Sequence, residues 1–140
     1  MKKFITTTII TSLWVFAAAQ NVAFSHDDMN SIQHSKLKLE NLRTDKLEGV
    51  ENTEVVVSRV AIPPNTTLPK HWHPGEEFAY VIEGSVTLWQ EGKADIIGNA
   101  GDALKVPLKQ IHTAKTSDKG AVILVFRVHQ TGKQERYLIK

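Results

Sequence analysis

The chain contains no cysteine among its 140 residues. Disulfide bonds, thiolate metal ligands and cysteine nucleophiles are therefore excluded. Small exported domains often depend on disulfides, so a folded domain of this chain must be stabilised by its apolar core, by a metal or by a partner chain. Any bound metal must be held through nitrogen and oxygen atoms.

The chain also lacks a hydrophobic run long enough for a stable membrane span, which needs roughly 20 predominantly apolar residues. The apolar run over residues 4–19 is shorter, is rich in threonine and follows a basic start, Met1-Lys2-Lys3. Small residues close the segment. This order is typical of a bacterial signal peptide. We therefore predict a signal peptide over residues 1–25, with cleavage after Ala19 or Ser25, and a periplasmic or secreted protein.

An excess of charge of one sign is missing as well. The chain has 17 lysine and arginine residues against 15 aspartate and glutamate residues, a formal net charge of +2. Lys2 and Lys3 lie in the predicted signal peptide and account for this difference, so the exported part is close to neutral. Its charge gives no indication of binding to nucleic acid or, after signal cleavage, to an anionic membrane.

The sequence after the predicted signal peptide shows neither a long helix nor an internal repeat. We predict a leader and an N-terminal strand over residues 26–50 and one barrel domain over residues 51–140. Lys36–Leu39 alternates like a strand, whereas Leu42–Gly49 fits either a turn-rich connection or a brief helix. The strands predicted in the barrel are Glu54–Ile62, Leu68–His73, Glu76–Glu83, Ser85–Gln90, Ala94–Ile97, Asp102–Val106, Ile111–Thr116, Ala121–His129 and Gln134–Ile139. Short strands separated by turn residues indicate an all-β sandwich or barrel.

The first candidate site is formed by His71, His73 and Glu77. Side chains two residues apart on a strand point to the same face, so both imidazoles project into one space, about 7 Å apart along the backbone. Pro74-Gly75 then turns the chain, and Glu77 on the returning strand can place a carboxylate in that space. Imidazole and carboxylate ligands suit a divalent metal of borderline or moderate hardness. By itself, a pair of histidines at this spacing is more typical of the surface of a hairpin.

The wider spacing resembles the two motifs of the cupin superfamily. The matching residues are His71-x-His73-x3-Glu77-x6-Gly84 and, further along, Gly101-x5-Pro107-x4-His112. The resemblance covers about Glu54 to His129, and the segment HWHPGEEFAYVIEG is especially similar to small single-domain cupins. Lys109 stands where the family usually has glycine, and Thr116 where asparagine is frequent. Neither of these positions carries a ligand in the family.

The resemblance implies an antiparallel jelly-roll β-barrel, the double-stranded β-helix. It implies that His71, His73, Glu77 and His112 bind one divalent transition metal, which is manganese, iron, zinc, copper or nickel, and that Glu77 accepts a proton in catalysis. The implied function is a dioxygenase-like enzyme of the quercetinase type, or a metal-dependent lyase or isomerase, acting on a small oxygen-donor substrate. Two alternatives stay open: a non-enzymatic periplasmic module that binds a small molecule or a metal, and a barrel in which the metal is purely structural.

Strand alternation separates an inner face from an outer face around the candidate site. Glu77 shares its face with Ala79 and Val81, and His112 shares its face with Ala114 and Thr116, which leaves room for a small, partly apolar ligand cavity. Phe78, Tyr80 and Ile82 fall on the opposite face. They are too apolar for open solvent, and cupins of this type are often dimers, so we predict a homodimer.

Other polar residues near the motifs and in the leader are weaker candidates for the site. Glu76 replaces Glu77 as a ligand only if the hairpin register slips by one residue, which reverses the faces. His129 lies near a strand end and is predicted to be exposed. Asp102 is predicted to stabilise the turn of the second motif, and Lys105 to point away from the cavity. His26 becomes the N-terminus if cleavage follows Ser25, where its amine and imidazole would suit copper; a disordered tail is the alternative.

Overall fold

A computed structural model describes residues 36–140 of the chain. The predicted signal peptide and the leader up to residue 35 lie outside the described residues. The eight strands are β1 (Lys38–Lys46), β2 (Thr53–Ile62), β3 (His71–Trp72), β4 (Gly75–Gln90), β5 (Ile96–Asn99), β6 (Ala103–Val106), β7 (His112–Gln130) and β8 (Tyr137–Leu138). No helix in this part of the chain is long and apolar enough to cross a membrane.

The two longest strands, β4 and β7, organise the barrel. They pair antiparallel along almost their whole lengths, and their register shifts between Val81 and Glu83 and again between Gly84 and Val86. Such bulges bend a strand and increase its twist. They allow β4 and β7 to curl, so that β5 and β6 pair with β4 while β2 and β3 pair with β7. The predicted antiparallel jelly-roll barrel is confirmed.

Gly84 is required at the bend between the two halves of β4. Its φ is +72°, and a Cβ atom at this position would lie 2.1 Å from the carbonyl oxygen of Gly120. A side chain is therefore excluded both by the left-handed backbone and by the facing strand. This explains the glycine that closes the first sequence motif.

The apolar core lies inside the barrel. It consists of Val60, Ile62, Ala79, Val81, Val86, Ala121, Ile123 and Val125, all of which are buried. These side chains come from β2, β4 and β7. In β4 they alternate with exposed neighbours such as Tyr80 and Ile82, whereas Ala61 in β2 and Val122 in β7 are buried as well, so these two strands are covered on both faces there.

Several predicted elements differ from the structure, with the largest differences in three places. Leu42–Gly49 contains no helix, because β1 continues to Lys46 by pairing with residues 54–61 of β2. Glu76–Glu83 and Ser85–Gln90 form the single strand β4. Ile111–Thr116 and Ala121–His129 likewise join in β7, which runs through the predicted turn at Ser117–Gly120. In both cases a turn sequence lies at a bulge, where the strand bends without ending.

Candidate metal centre

The barrel brings together three buried histidines, of which two lie two residues apart and the third lies far along the chain. His71 is the first residue of β3, His73 directly follows that strand, and His112 begins β7. His71 and His112 are paired across the antiparallel ladder. The exposed fractions of His71, His73 and His112 are 8%, 3% and 3%. One donor nitrogen from each of the three lies within 4.8 Å of the others, so this group could hold a metal ion.

The backbone fixes the tautomer of all three rings. Nδ1 of His71 lies 2.8 Å from Pro69 O, Nδ1 of His73 lies 2.6 Å from Glu135 O, and Nδ1 of His112 lies 2.9 Å from Gln110 O. A carbonyl oxygen can only accept a hydrogen bond, so each neutral ring carries its proton on Nδ1. Each Nε2 atom is then left with a free lone pair, as in metal-binding histidines oriented by a second hydrogen bond.

Glu77 lies beside this cluster at the start of β4. Its Oε2 atom is 3.0 Å from His73 Nε2, and its Oε1 atom is 3.8 Å from His112 Nε2. His73 Nε2 is buried and has no hydrogen-bond partner, because its ring proton is committed to Glu135 O. A lone pair and a carboxylate at this distance repel each other unless a proton or a metal cation lies between them. The residues therefore fit a divalent metal, and the role of Glu77 as a fourth ligand stays a prediction.

Arg127 is the site residue that the sequence reasoning missed. Its side chain is 4% exposed, it lies directly opposite Glu77 in the β4–β7 ladder, and its Nε atom is 3.5 Å from Glu77 Oε2. Its Nη1 atom donates a hydrogen bond to Glu135 Oε2 at 3.3 Å. The sequence did contain a signal for this position. Arg127 lies two and four residues after Val125 and Ile123 in the most apolar strand, so its side chain must point to the same, inward face.

The electrostatic environment favours neutral imidazoles at His71 and His112 and an ionised carboxyl group at Glu77. Burial, reinforced by the neighbouring histidines, lowers the pKa of His71 to about 4 despite the opposing hydrogen bond to Pro69. Burial likewise lowers the pKa of His112, although Glu77 acts in the opposite direction. Burial acts to raise the pKa of Glu77, but contacts with His73, His112 and Arg127 outweigh it and hold that pKa below its usual value. Neutral imidazole and ionised carboxylate are the forms that bind metals.

We expect the metal-free protein to lose stability as the pH falls from 7 to 4.5. Between pH 6.5 and about 4 the unfolded chain binds a proton at His71 that the folded chain does not, so acid favours unfolding. At about 1.4 kcal/mol per pKa unit, His71 alone contributes a loss of about 3 kcal/mol over this range. Urea unfolding of the chelator-treated protein measures it, and the His71→Gln variant should show a clearly smaller pH dependence. Equal pH dependence in both proteins would contradict the assignment.

A cavity of about 180 Å³ opens beside the cluster. Glu77, Ala79, His112 and Ala114 line it, as predicted from strand alternation, whereas Val81 and Thr116, which were expected on the same faces, do not. The rest of the wall is mainly aliphatic and includes Val60, Leu68, Leu88, Leu104, Val106 and Ile123. The arrangement therefore joins one polar end, formed by the histidines and the Glu77–Arg127 pair, to an apolar chamber.

The remaining candidate residues lie away from this cluster. Glu76 points outward and forms an ion pair with Lys105 at 2.7 Å, so Glu76 does not reach the site and Lys105 faces away from the cavity as predicted. Asp102 accepts a hydrogen bond from Asn99 N at 2.8 Å and stabilises its turn.

The prediction for His129 was wrong: it is 1% exposed. In β7 it is paired with Glu54 of β2 and Gly75 of β4, and its Nε2 atom lies 3.1 Å from Lys133 O. His26 lies outside the described residues.

The second motif contains a strained residue at one of the departures from the family. Lys109 has a φ of +57°, a left-handed conformation that glycine adopts without steric cost. Its backbone N–H donates a hydrogen bond to His73 O at 3.2 Å. The turn before His112 therefore keeps the conformation that the family's glycine would favour, and it contacts the backbone of a cluster histidine.

The curled antiparallel barrel, with a histidine cluster at one end of its cavity, defines a cupin-type protein. The cupin domain family matches residues 58–127, half of the chain. This chain therefore belongs to the cupin family, as the two motifs implied. Among curated proteins, none matches the chain.

Solved structures with the same fold include three from different bacteria. The DMSP lyase DddQ from Ruegeria pomeroyi is 21% identical over 85% of this chain, with a TM-score of 0.61, and this chain spans 57% of its length. A cupin-like protein from Thermotoga maritima is 23% identical over 74% of this chain and 75% of its own, with a TM-score of 0.60. The polyketide cyclase RemF from Streptomyces resistomycificus is 21% identical over 76% and 83%, with a TM-score of 0.53.

Proposed function

We propose that this protein is a mononuclear metalloenzyme in which Glu77 moves a proton on a small oxygen-donor substrate. The observation that supports this most strongly is the convergence of three buried imidazoles. Their Nδ1 protons are committed to backbone carbonyls, and their Nε2 atoms lie next to a carboxylate and an apolar cavity. His71, His73 and His112 would hold the metal, with Glu77 as a fourth ligand or as the base beside it.

A divalent metal bound here would act as a Lewis acid that polarises an oxygen donor of the substrate. The chain's own residues supply the rest. The apolar wall excludes water from the reacting end and strengthens electrostatic interactions there. Glu77 is ionised and within reach of the space in front of His73 and His112, where it can accept a proton. Arg127 beside it favours the ionised form of the carboxyl group.

The size of the cavity favours a compact substrate. About 180 Å³ is below the roughly 300–1,000 Å³ of typical ligand pockets, which suits a lyase or isomerase substrate of a few heavy atoms better than a three-ring flavonol. Two proteins of the same fold, a DMSP lyase and a polyketide cyclase, are enzymes named for reactions other than oxygenation. We therefore favour lyase or isomerase chemistry over the quercetinase-type dioxygenase reaction.

The test compares turnover in the wild type and in the Glu77→Gln variant after both are loaded with the same metal. Small enolisable and hydroxylated substrates are screened for product formation, with oxygen uptake recorded in parallel. We expect product without oxygen uptake, and a loss of about 10²- to 10⁴-fold in the variant, as for removal of a general base. Oxygen consumed in proportion to product would favour the dioxygenase. Substrate-sized ligands that bind without turnover in either protein would favour the non-enzymatic module.

We also propose that the protein is a homodimer. Phe78, Tyr80 and Ile82 are 39%, 48% and 41% exposed on the outer face of β4, and Phe126, directly opposite Phe78 on β7, is 43% exposed. The adjacent charges of Glu76 and Lys105 pair with each other, so this apolar face suits a second copy better than a charged partner. Light scattering should give the molar mass of two chains for the wild type and of one chain for Phe78→Glu. A monomeric wild type would contradict the proposal.

Export to the periplasm or beyond the cell is proposed from the segment over residues 1–25. N-terminal sequencing of the protein recovered from the periplasmic fraction would locate the cleavage site after Ala19 or Ser25. An intact Met1 on the protein in its native compartment would contradict export by a cleaved signal.

A further inference from the structure

Arg127 is a buried guanidinium whose hydrogen-bonding capacity is only partly used. An arginine side chain has five N–H donors. In this chain Nη1 donates to Glu135 Oε2 at 3.3 Å, while Nε lies 3.5 Å from Glu77 Oε2 and is buried without a hydrogen bond. A buried charged donor without a partner is unfavourable, so a further acceptor is expected in the space that Arg127 lines.

The charge balance of the site also calls for an anion. The three imidazoles are neutral in the ligand-binding form, and the charges of Arg127 and Glu77 cancel. Glu135 and Arg136, which also line the cavity, cancel each other as well. The positive charge of a divalent metal would then remain uncompensated within apolar walls. Buried charges are stable only when they are paired, so a bound anion would stabilise the loaded site.

The pairing of β4 with β7 places a charged group next to an apolar wall, one for each end of a bound ligand. Arg127 and Glu77 occupy one rung between β7 and β4, and the next rung in the same direction is Val125 with Ala79. Val125 and Ala79 line the cavity, so its surface changes from charged to aliphatic within one step along the strands. Arg127 Nε and His73 Nε2 are at most about 6.5 Å apart, because both lie next to the same Glu77 oxygen, at 3.5 Å and 3.0 Å.

We propose that the cavity selects a small aliphatic carboxylate carrying a second oxygen donor, such as a short hydroxy or oxo acid. Arg127 binds the carboxylate, the second oxygen faces the histidine cluster, and the hydrocarbon part packs against the apolar wall. Arg127 is thus a specificity-determining residue. This inference rests on the proposed function, whose metal it uses, and names the class of substrate.

The test uses calorimetry on the zinc-loaded protein with α-hydroxyisovalerate and with its amide, a neutral ligand of nearly the same shape. A charge-assisted hydrogen bond favours the acid by about 10- to 100-fold. We expect the preference for acid over amide to fall by at least about tenfold in Arg127→Gln and to be partly kept in Arg127→Lys, which retains the charge. Lys105→Gln is the matched control, because it removes the same charge from the outer face and should keep the full preference.

The zinc content and the thermal unfolding of every variant are measured first. If Arg127→Gln does not fold, the wild type and Arg127→Lys still decide the question. No preference for the acid in the wild type, or an undiminished preference in Arg127→Gln, would overturn the inference. A wild type that binds stoichiometric zinc but discriminates no acid would contradict this inference alone. A wild type that binds no zinc would contradict the proposed function, and the role of Arg127 would then be read from the acid preference of the metal-free protein.

Discussion

The His112→Ala variant is expected to lose its metal. The wild-type protein, purified from its native compartment, should contain one metal ion per chain by elemental analysis, and the variant close to none. His112 supplies one of the three converging nitrogens. Because replacing even a residue that only orients a ligand weakens metal binding by 10- to 100-fold, removing a ligand should cost at least about 100-fold.

The matched control for this experiment is His129→Gln. His129 lies on the same strand and is as deeply buried as His112, but it is not one of the three clustered histidines. Its replacement should therefore leave the metal content unchanged while disturbing the fold to a similar degree. Equal metal in the wild type and in His112→Ala would place the metal elsewhere, for example at His26 if cleavage follows Ser25.

Breaking the buried Glu77–Arg127 pair should produce the largest loss of stability. Both side chains are shielded from solvent, with exposed fractions of 12% and 4%, so removing one partner leaves an uncompensated buried charge. Such losses are typically about 3–5 kcal/mol. In the metal-free protein at neutral pH, we expect Glu77→Gln and Arg127→Met each to lower the free energy of unfolding by about 3 kcal/mol. The double variant should cost clearly less than the two single changes together.

Urea unfolding of the four proteins gives the coupling energy, which we expect to be at least about 1.5 kcal/mol. The exposed pair formed by Glu76 and Lys105 provides the control, since it lies next to the site in sequence and is about half exposed at both ends. Its coupling should be below about 1 kcal/mol, as for other surface ion pairs. Similar coupling in the two cycles would show that the Glu77–Arg127 pair is solvated, and it would weaken the case for a charged cavity end.

The first half of the site was predictable from local rules. His71, His73 and Glu77 are close in sequence, and the two-residue period of a strand predicted which way they face. The expectation that the returning strand pairs with the first was wrong, because β3 pairs with β7 and β8 whereas β4 pairs with β5, β6 and β7. The same period correctly placed Glu76 and Lys105 on the outside. His112 was assigned only through the resemblance of its motif, because its contact with His71 depends on the pairing of β3 with β7.

The wrong predictions share one cause. His129 was expected at an exposed strand end, and Ser117–Gly120 was expected to terminate a strand. Both expectations treated a strand as an isolated local unit. In the structure β7 continues through the turn sequence, because β4 bends with it and keeps it paired, and the curled sheet then encloses His129.

The sequence by itself determined the fold class, the family and the chemical nature of the donors. The alternation of apolar residues, the turn residues and the absence of cysteine all act locally, and they can be interpreted without knowing which strands are neighbours. Only the tertiary structure decided that the carbonyls of Pro69, Gln110 and Glu135 orient the three imidazoles. It also placed Arg127 opposite Glu77. These contacts depend on the register between strands that are far apart along the chain, which is set when the whole barrel closes around its core.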